Sequence, residues 1–255
     1  SGVTIMTAGA PPAPQVIRSM ENMGAHILHT YGLTETYGPT AICAIQPDWK
    51  EKSSEEVANL KARQGVAYVV ADTGMRVVDT EMNDVERNGS QMGEVVMNGN
   101  IVMSGYFDDE DATNKAFEGG WFHSGDLAVW HPDGYIELKD RAKDIIISGG
   151  ENISSQEVEK VIVEHDGVLE VSVVGVPDER WGEVPKAFVV SREGVTVSEE
   201  EIVTFTRDRI AHFKAPKYVE FGELPKTATG KIQKYVLREK EWEGKEKRIQ
   251  GSSLT

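Results

Sequence analysis

Cysteine is almost absent: Cys43 is the only one in 255 residues. No internal disulfide can form, and the chain suits a reducing compartment. Cys43 lies in the apolar run Ala41-Ile42-Cys43-Ala44-Ile45 with no activating group beside it, which reads as a buried, inert thiol rather than a nucleophile. Long apolar runs are missing too, and none approaches the roughly 20 residues of a membrane span. Positive charge is scarce, with 27 Lys and Arg against 42 Asp and Glu, a net −15. Such a chain gains nothing from long-range attraction to DNA or RNA, so no nucleic-acid partner is expected. No glycine-rich phosphate loop ending in Lys occurs. His123 and His131 flank Asp126 but lack metal-ligand spacing.

What is present is ordinary for a water-soluble globular protein, 39% hydrophobic and 27% charged. The length allows one large or two modest domains with a real core. Charge is uneven. Residues 1–140 hold 9 Lys and Arg against 21 Asp and Glu, leaving 18 against 21 for residues 141–255. Anionic ligands would therefore need locally placed cations, two thirds of which lie in the second part. The last residues, Gly251-Ser252-Ser253-Leu254-Thr255, are not a Ser-Lys-Leu address, and a cytoplasmic location is expected. The sequence sets no oligomeric state.

Two textures follow one another. Pro14–Met23 and Ser54–Arg63 read as helices, and Ala25–Thr30 as a strand running into a Tyr31-Gly32 turn. From residue 65 to 139 short strands recur, among them Val66–Val70, Gly93–Met97 and Tyr135–Leu138. They are separated by turn signals such as Asn88-Gly89 and Pro132-Asp133-Gly134. After Asp140 the pattern becomes α+β. Ile145–Ile147 is a strand, and Ser154 with Glu157 forms a capping box opening a helix to about Glu164. Val168–Val176 and Lys186–Val190 are strands, and Ser198 with Glu201 caps another helix. The predicted fold class is α/β plus α+β, with a boundary at Asp140–Lys143; Gly244–Thr255 reads as a frayed tail.

Four polar motifs carry the chemistry. In Tyr31-Gly32-Leu33-Thr34-Glu35, side chains project from a sheet edge. The Thr34 hydroxyl can donate to a phosphate oxygen, and the Glu35 carboxylate can hold Mg²⁺. In Ser124-Gly125-Asp126, one carboxylate can accept two hydrogen bonds from a vicinal diol, although an Asx turn explains it as well. The third is Asp140-Arg141-Ala142-Lys143-Asp144 leading to Gly149-Gly150, which read alone is only a turn before a helix. The last is Thr229-Gly230-Lys231, whose long cation on a glycine-preceded loop can reach a carboxylate and a phosphate together. Lys226, nearby, reads as a surface lysine, and Trp181-Gly182-Glu183 as structural.

In this order, from Thr7-Ala8-Gly9-Ala10-Pro11 to Lys231, the motifs resemble the later blocks of the AMP-forming acyl-CoA synthetases, part of the adenylate-forming superfamily. The resemblance implies the C-terminal half of an acid–CoA ligase: the end of a large adenylation domain (residues 1–64 α/β, 65–140 a β-rich subdomain) and a mobile α+β domain (141–255). Such an enzyme uses ATP and Mg²⁺ to convert a carboxylic acid to acyl-AMP and then transfers the acyl group to CoA. By resemblance Gly9, Ala10, Pro11, Tyr31, Gly32 and Leu33 wall the nucleotide pocket. Thr34 touches phosphate, Glu35 holds the metal, Asp126 and Arg141 bind the ribose region, and Lys231 is catalytic. Lys143 would be the hinge, and Gly149 and Gly150 would line the path of the CoA arm, where a residue without a side chain permits close approach. The stretch His29–Pro39 looks most like the branch using short- or medium-chain fatty acids or benzoate-like acids. Two alternatives stay open at this point: a carrier-protein thiol as acceptor, or a nucleotide-binding fragment that is inactive alone because the phosphate loop is absent.

Overall fold

The computed structural model describes residues 2–9, 11–68, 74–228 and 230–245. The expectations for Ala10, Thr229, the end of the Val66–Val70 strand and most of the tail lie outside these residues. The chain divides into two compact units, residues 1–139 and 140–255.

The first unit holds two four-stranded sheets. In one, β1 (Thr4–Thr7) runs parallel to β2 (His26–Leu33), followed by the antiparallel β3 (Gly38–Ile42) and β4 (Val66–Ala67). Val66–Ala67 thus belongs to this sheet, not to the β-rich one that follows. Helices α1 (Pro14–Asn22) and α2 (Ser54–Lys61) cover it, with Ile17 and Ala58 packed on Ile27. The second sheet is β5 (Gly74–Val78), β6 (Met92–Asn98), β7 (Phe122–Trp130) and β8 (Ile136–Arg141), with α3 (Glu110–Ala116) between β6 and β7. Val77, Val95, Met97, Ala128 and Ile136 form its core, and Tyr31 and Ala41 of the first sheet join them. A shared core fixes the end of β2 against β7, which positions the site.

β2 departs from expectation. It does not stop at a Tyr31-Gly32 turn but continues to Leu33, with a register shift between Tyr31 and Gly32. A Cβ on Gly32 would lie 2.1 Å from the Gly38 carbonyl oxygen. Glycine is needed there for close strand approach rather than for a chain reversal.

In the second unit, β9 (Ile146–Ser148), β10 (Glu151–Ile153), β11 (Val168–Asp178), β12 (Gly182–Ser191) and β13 (Tyr218–Phe221) form one sheet in the order β10-β9-β12-β11, with β13 parallel to β12. Val171 and Val173 face α4 (Ser155–Ile162) and α5 (Glu199–Arg207) through Val158, Ile162 and Ile202. Val174 and Val176 join Leu224, Phe188 and Leu237 of α6 (Lys234–Trp242) on the other face. Because both faces are covered, β11 reads as a continuous apolar run instead of alternating. Deleting Ile146, fully buried in the first of these cores, to Ala would cost about 2–5 kcal/mol.

Ser198 and Glu201 make a full capping box on α5. At α4 the expected box is incomplete. Ser154 accepts from the Glu157 N–H at 3.1 Å, and Asp140 supplies the further acceptor, taking the Ser155 and Gln156 N–H groups at 2.6 and 3.4 Å. A buried carboxylate at a helix start stabilises the otherwise unpaired amides and the positive end of the helix dipole.

Candidate nucleotide and catalytic site

Beyond β2 the chain turns through Thr34–Thr36 and Tyr37, whose φ is +56°. Buried Thr36 holds this turn: its hydroxyl accepts from the Leu33 N–H at 2.9 Å and lies 3.0 Å from the Leu33 and Gly38 carbonyl oxygens. Thr34 is therefore presented exposed and Glu35 half-buried. Glu35 is fixed twice by one loop. Its carbonyl accepts from the Met103 N–H at 2.7 Å, and its Oε1 accepts from the Tyr106 hydroxyl at 3.1 Å. Burial, and then the Glu35 charge, raise the Tyr106 phenol above its ordinary range, which keeps it a donor.

Asp126 follows a glycine at φ +69° on β7, a conformation most side chains avoid. The turn is held from β6: the Glu94 carboxylate accepts from the Gly125 N–H at 2.8 Å, and the Ser124 hydroxyl donates to the Val95 carbonyl at 2.6 Å. The other Glu94 oxygen meets His123 Nδ1 at 2.8 Å, so His123 serves this turn. The Ser124 oxygen also accepts from the Asp126 N–H at 3.1 Å. Asp126 itself is only 5% exposed, and the buried Tyr31 hydroxyl donates to its Oδ2 at 2.7 Å. Tyr31 thereby joins two motifs that lie far apart in sequence.

Gly9 has φ +88° and open space around its α-carbon, and Pro11 is half-buried. Cys43 is buried, and burial pushes its thiol up to about 12, so it is inert at neutral pH.

The remaining candidates lie in the second unit. Arg141 ends β8, its N–H donating to Asp140 Oδ1 at 2.8 Å. Lys143 is exposed on the following short turn, whose Asp144 pairs with Arg238. Gly149 and Gly150 form the exposed β9–β10 turn at φ +60° and +92°. A Cβ on Gly149 would come 2.8 Å from the Trp181 ring, so the indole packs over this glycine. Lys231 sits on an exposed loop closed by Thr227: its N–H donates to Thr227 Oγ1 at 3.1 Å and its carbonyl accepts from the Thr227 N–H at 2.8 Å. Lys226 on the same loop pairs with Glu170 at 2.7 Å. Lys231 makes no ion pair among the described residues. Sequence reading missed Tyr106 and Glu94, which act at long range and carry no local signature, and it placed Asp140 in a motif without its role at the start of α4.

The comparisons with known proteins match both units. Residues 1–107 fit the AMP-binding enzyme family and residues 157–231 its C-terminal domain. The chain is 55% identical over 244 residues to an acetate–CoA ligase of Humulus lupulus, covering 93% of this chain and 43% of that protein. It is 51% identical over 236 residues to a 4-hydroxybutyrate–CoA ligase of Metallosphaera sedula, covering 92% and 43%. The crystal structure of ATP-bound MatB from Rhodopseudomonas palustris is 30% identical with a TM-score of 0.80, over 94% of this chain and 45% of that one. The chain belongs to the AMP-binding, adenylate-forming enzymes and is similar to their acid–CoA ligases. It spans less than half the length of these relatives.

Proposed function

We propose that the protein carrying this chain is an AMP-forming acid–CoA ligase. The observation that carries the reading is the donor set of the first unit: an exposed Thr34 hydroxyl, the half-buried Glu35 carboxylate and the braced Asp126 carboxylate, each held on a rigid turn. A carboxylate attacks the α-phosphorus of ATP, the bond to pyrophosphate breaks, and acyl-AMP forms. The thiol of CoA then attacks the acyl carbon, AMP leaves, and the thiol proton is released.

Asp126 takes the ribose hydroxyls, assisted by Arg141. Gly9, Ala10, Pro11, Tyr31, Gly32 and Leu33 form the nucleotide wall, and Thr34 donates to the phosphate. A hard oxygen set of one carboxylate fits Mg²⁺, which otherwise keeps waters and substrate phosphate as ligands; Glu35 would hold it, and it would offset phosphate charge. Lys231 stabilises the negative charge growing on phosphorus. The second unit is mobile about Lys143, so that Lys231 serves the first step and leaves before the second, when Gly149 and Gly150 line the CoA arm. The acid is of the short- or medium-chain fatty or benzoate-like class, and the protein acts in the cytoplasm. A pyrophosphate-release assay on the full-length protein with a panel of acids tests this, and release of ADP would overturn it.

A further inference from the structure

Each carboxylate of the first unit's site is met by one phenol. Tyr31 donates to Asp126 Oδ2 at 2.7 Å and Tyr106 to Glu35 Oε1 at 3.1 Å. The two tyrosines arrive from different elements. Tyr31 is 6% exposed on β2, its ring in the shared core and its carbonyl accepting from the Thr40 hydroxyl at 3.2 Å. Tyr106 is 40% exposed on the loop before α3. That loop is stapled: the Tyr106 N–H donates to Thr113 Oγ1 at 2.9 Å, Thr113 donates to the Asp109 carbonyl at 2.7 Å, and the Asp109 side chain caps α3 through the Ala112 N–H at 2.9 Å.

We infer that Tyr31 and Tyr106 are positioning residues, each using its phenol to hold one carboxylate in a single orientation toward the ligand: Asp126 toward the ribose diol and Glu35 toward the metal-bound phosphates. The inference rests on the assignment of those two carboxylates made above and deepens it. A carboxylate free to rotate must be ordered by the ligand at an entropic cost, whereas one already held by a short hydrogen bond has met that cost during folding. Neither phenol need touch the nucleotide to act. The two braces are separable, because one governs the sugar and the other the metal.

The test is equilibrium binding by calorimetry on the full-length protein, with no turnover required. For Tyr31→Phe the readout is the preference for AMP over 2′-deoxy-AMP. It falls about 2- to 10-fold, the scale of one hydrogen bond, while the gain in ATP affinity on adding Mg²⁺ is unchanged. For Tyr106→Phe the pattern reverses: the Mg²⁺-dependent gain falls by a similar factor and the deoxy preference stays. Tyr106 is half-exposed, so this variant keeps the question open if Tyr31→Phe folds poorly. Equal weakening of both AMP analogues by Tyr31→Phe would show that its hydroxyl does not orient Asp126 toward the diol and would overturn that brace. An unchanged Mg²⁺ effect in Tyr106→Phe would overturn the other. Asp126→Asn and Glu35→Gln separate the levels. If they leave the deoxy preference and the Mg²⁺ effect intact, the site assignment itself fails; if they abolish these and the Phe variants do not, only the braces fail.

Discussion

The two units present their charged groups in opposite ways. In the first, Asp126 and Glu35 already hold hydrogen bonds from tyrosine hydroxyls. In the second, Lys186, Lys214, Lys217, Lys226, Lys234 and Lys240 all pair with carboxylates, while Lys231 and Lys143 have no such partner among the described residues. A binding group gains from being ordered in advance, since the ligand then meets a fixed acceptor. A cation needed in one step and unwanted in the next is better left unpaired, because a resident carboxylate would compete with the substrate for it. The pairs mark lysines that hold the fold together, and Lys231, the cation proposed to act on the reaction, stands outside them.

Breaking the comparison at Lys231 has the largest expected effect. Lys231→Ala in the full-length protein should slow acyl-AMP formation by about two to three decades, or ~3–4 kcal/mol. Thioester formation from supplied acyl-AMP should stay nearly intact. Lys226→Ala should do little to either, because its charge serves Glu170. Single-turnover measurements of the two half-reactions decide this, and equal loss in both would make Lys231 structural. Next comes the other side of the comparison. Asp126→Asn keeps the shape but removes the charge that strengthens a hydrogen bond. It should weaken AMP binding by about 10- to 100-fold, measured by calorimetry.

A third variant asks whether buried acids in the two units do different work. Asp140 is 1% exposed and commits its carboxylate to the first amides of α4. Asp140→Ala should cost about 1–3 kcal/mol in the second unit, seen as faster hydrogen exchange at Ser155 and Gln156. Asp126→Asn should leave those amides protected.

Much of this was legible in the chain. Thr34, Glu35, Asp126 and Lys231 stand in short motifs whose chemistry follows from residue type, and the capping residues Ser154 and Ser198 mark their helices locally. What escaped was pairing between distant elements. The Tyr31 to Asp126 contact spans 95 positions and Tyr106 to Glu35 spans 71, and no periodicity encodes either. Tyr31-Gly32 read as a turn because glycine usually signals one, yet here the small residue admits a neighbouring strand. Asp140 read as part of a charged connector, whereas its burial under α4 depends on tertiary packing that local rules do not carry.

The smallest expected effect sharpens what a paired lysine does. Glu220 receives hydrogen bonds from Lys186 at 2.8 Å and Lys240 at 3.0 Å. Those bonds lower its pKa below the ordinary value of 4.5, against a weaker opposing push from burial. A carboxylate whose folded pKa is depressed contributes stability above its unfolded pKa and loses it as pH falls through the folded one. The contribution should therefore be complete at pH 7 and fade below about pH 4.5. Because Glu220 is 41% exposed, solvent screens it, and the scale is that of a surface pair, about 0.2–1 kcal/mol. Glu220→Gln should be less stable than the parent by that amount at pH 7. The two denaturation curves should converge as pH is lowered toward 3, and the gap at pH 7 should narrow in high salt. A gap that persists at pH 3 would mean that the side chain acts by packing, and the paired lysines would then owe their order to something other than charge.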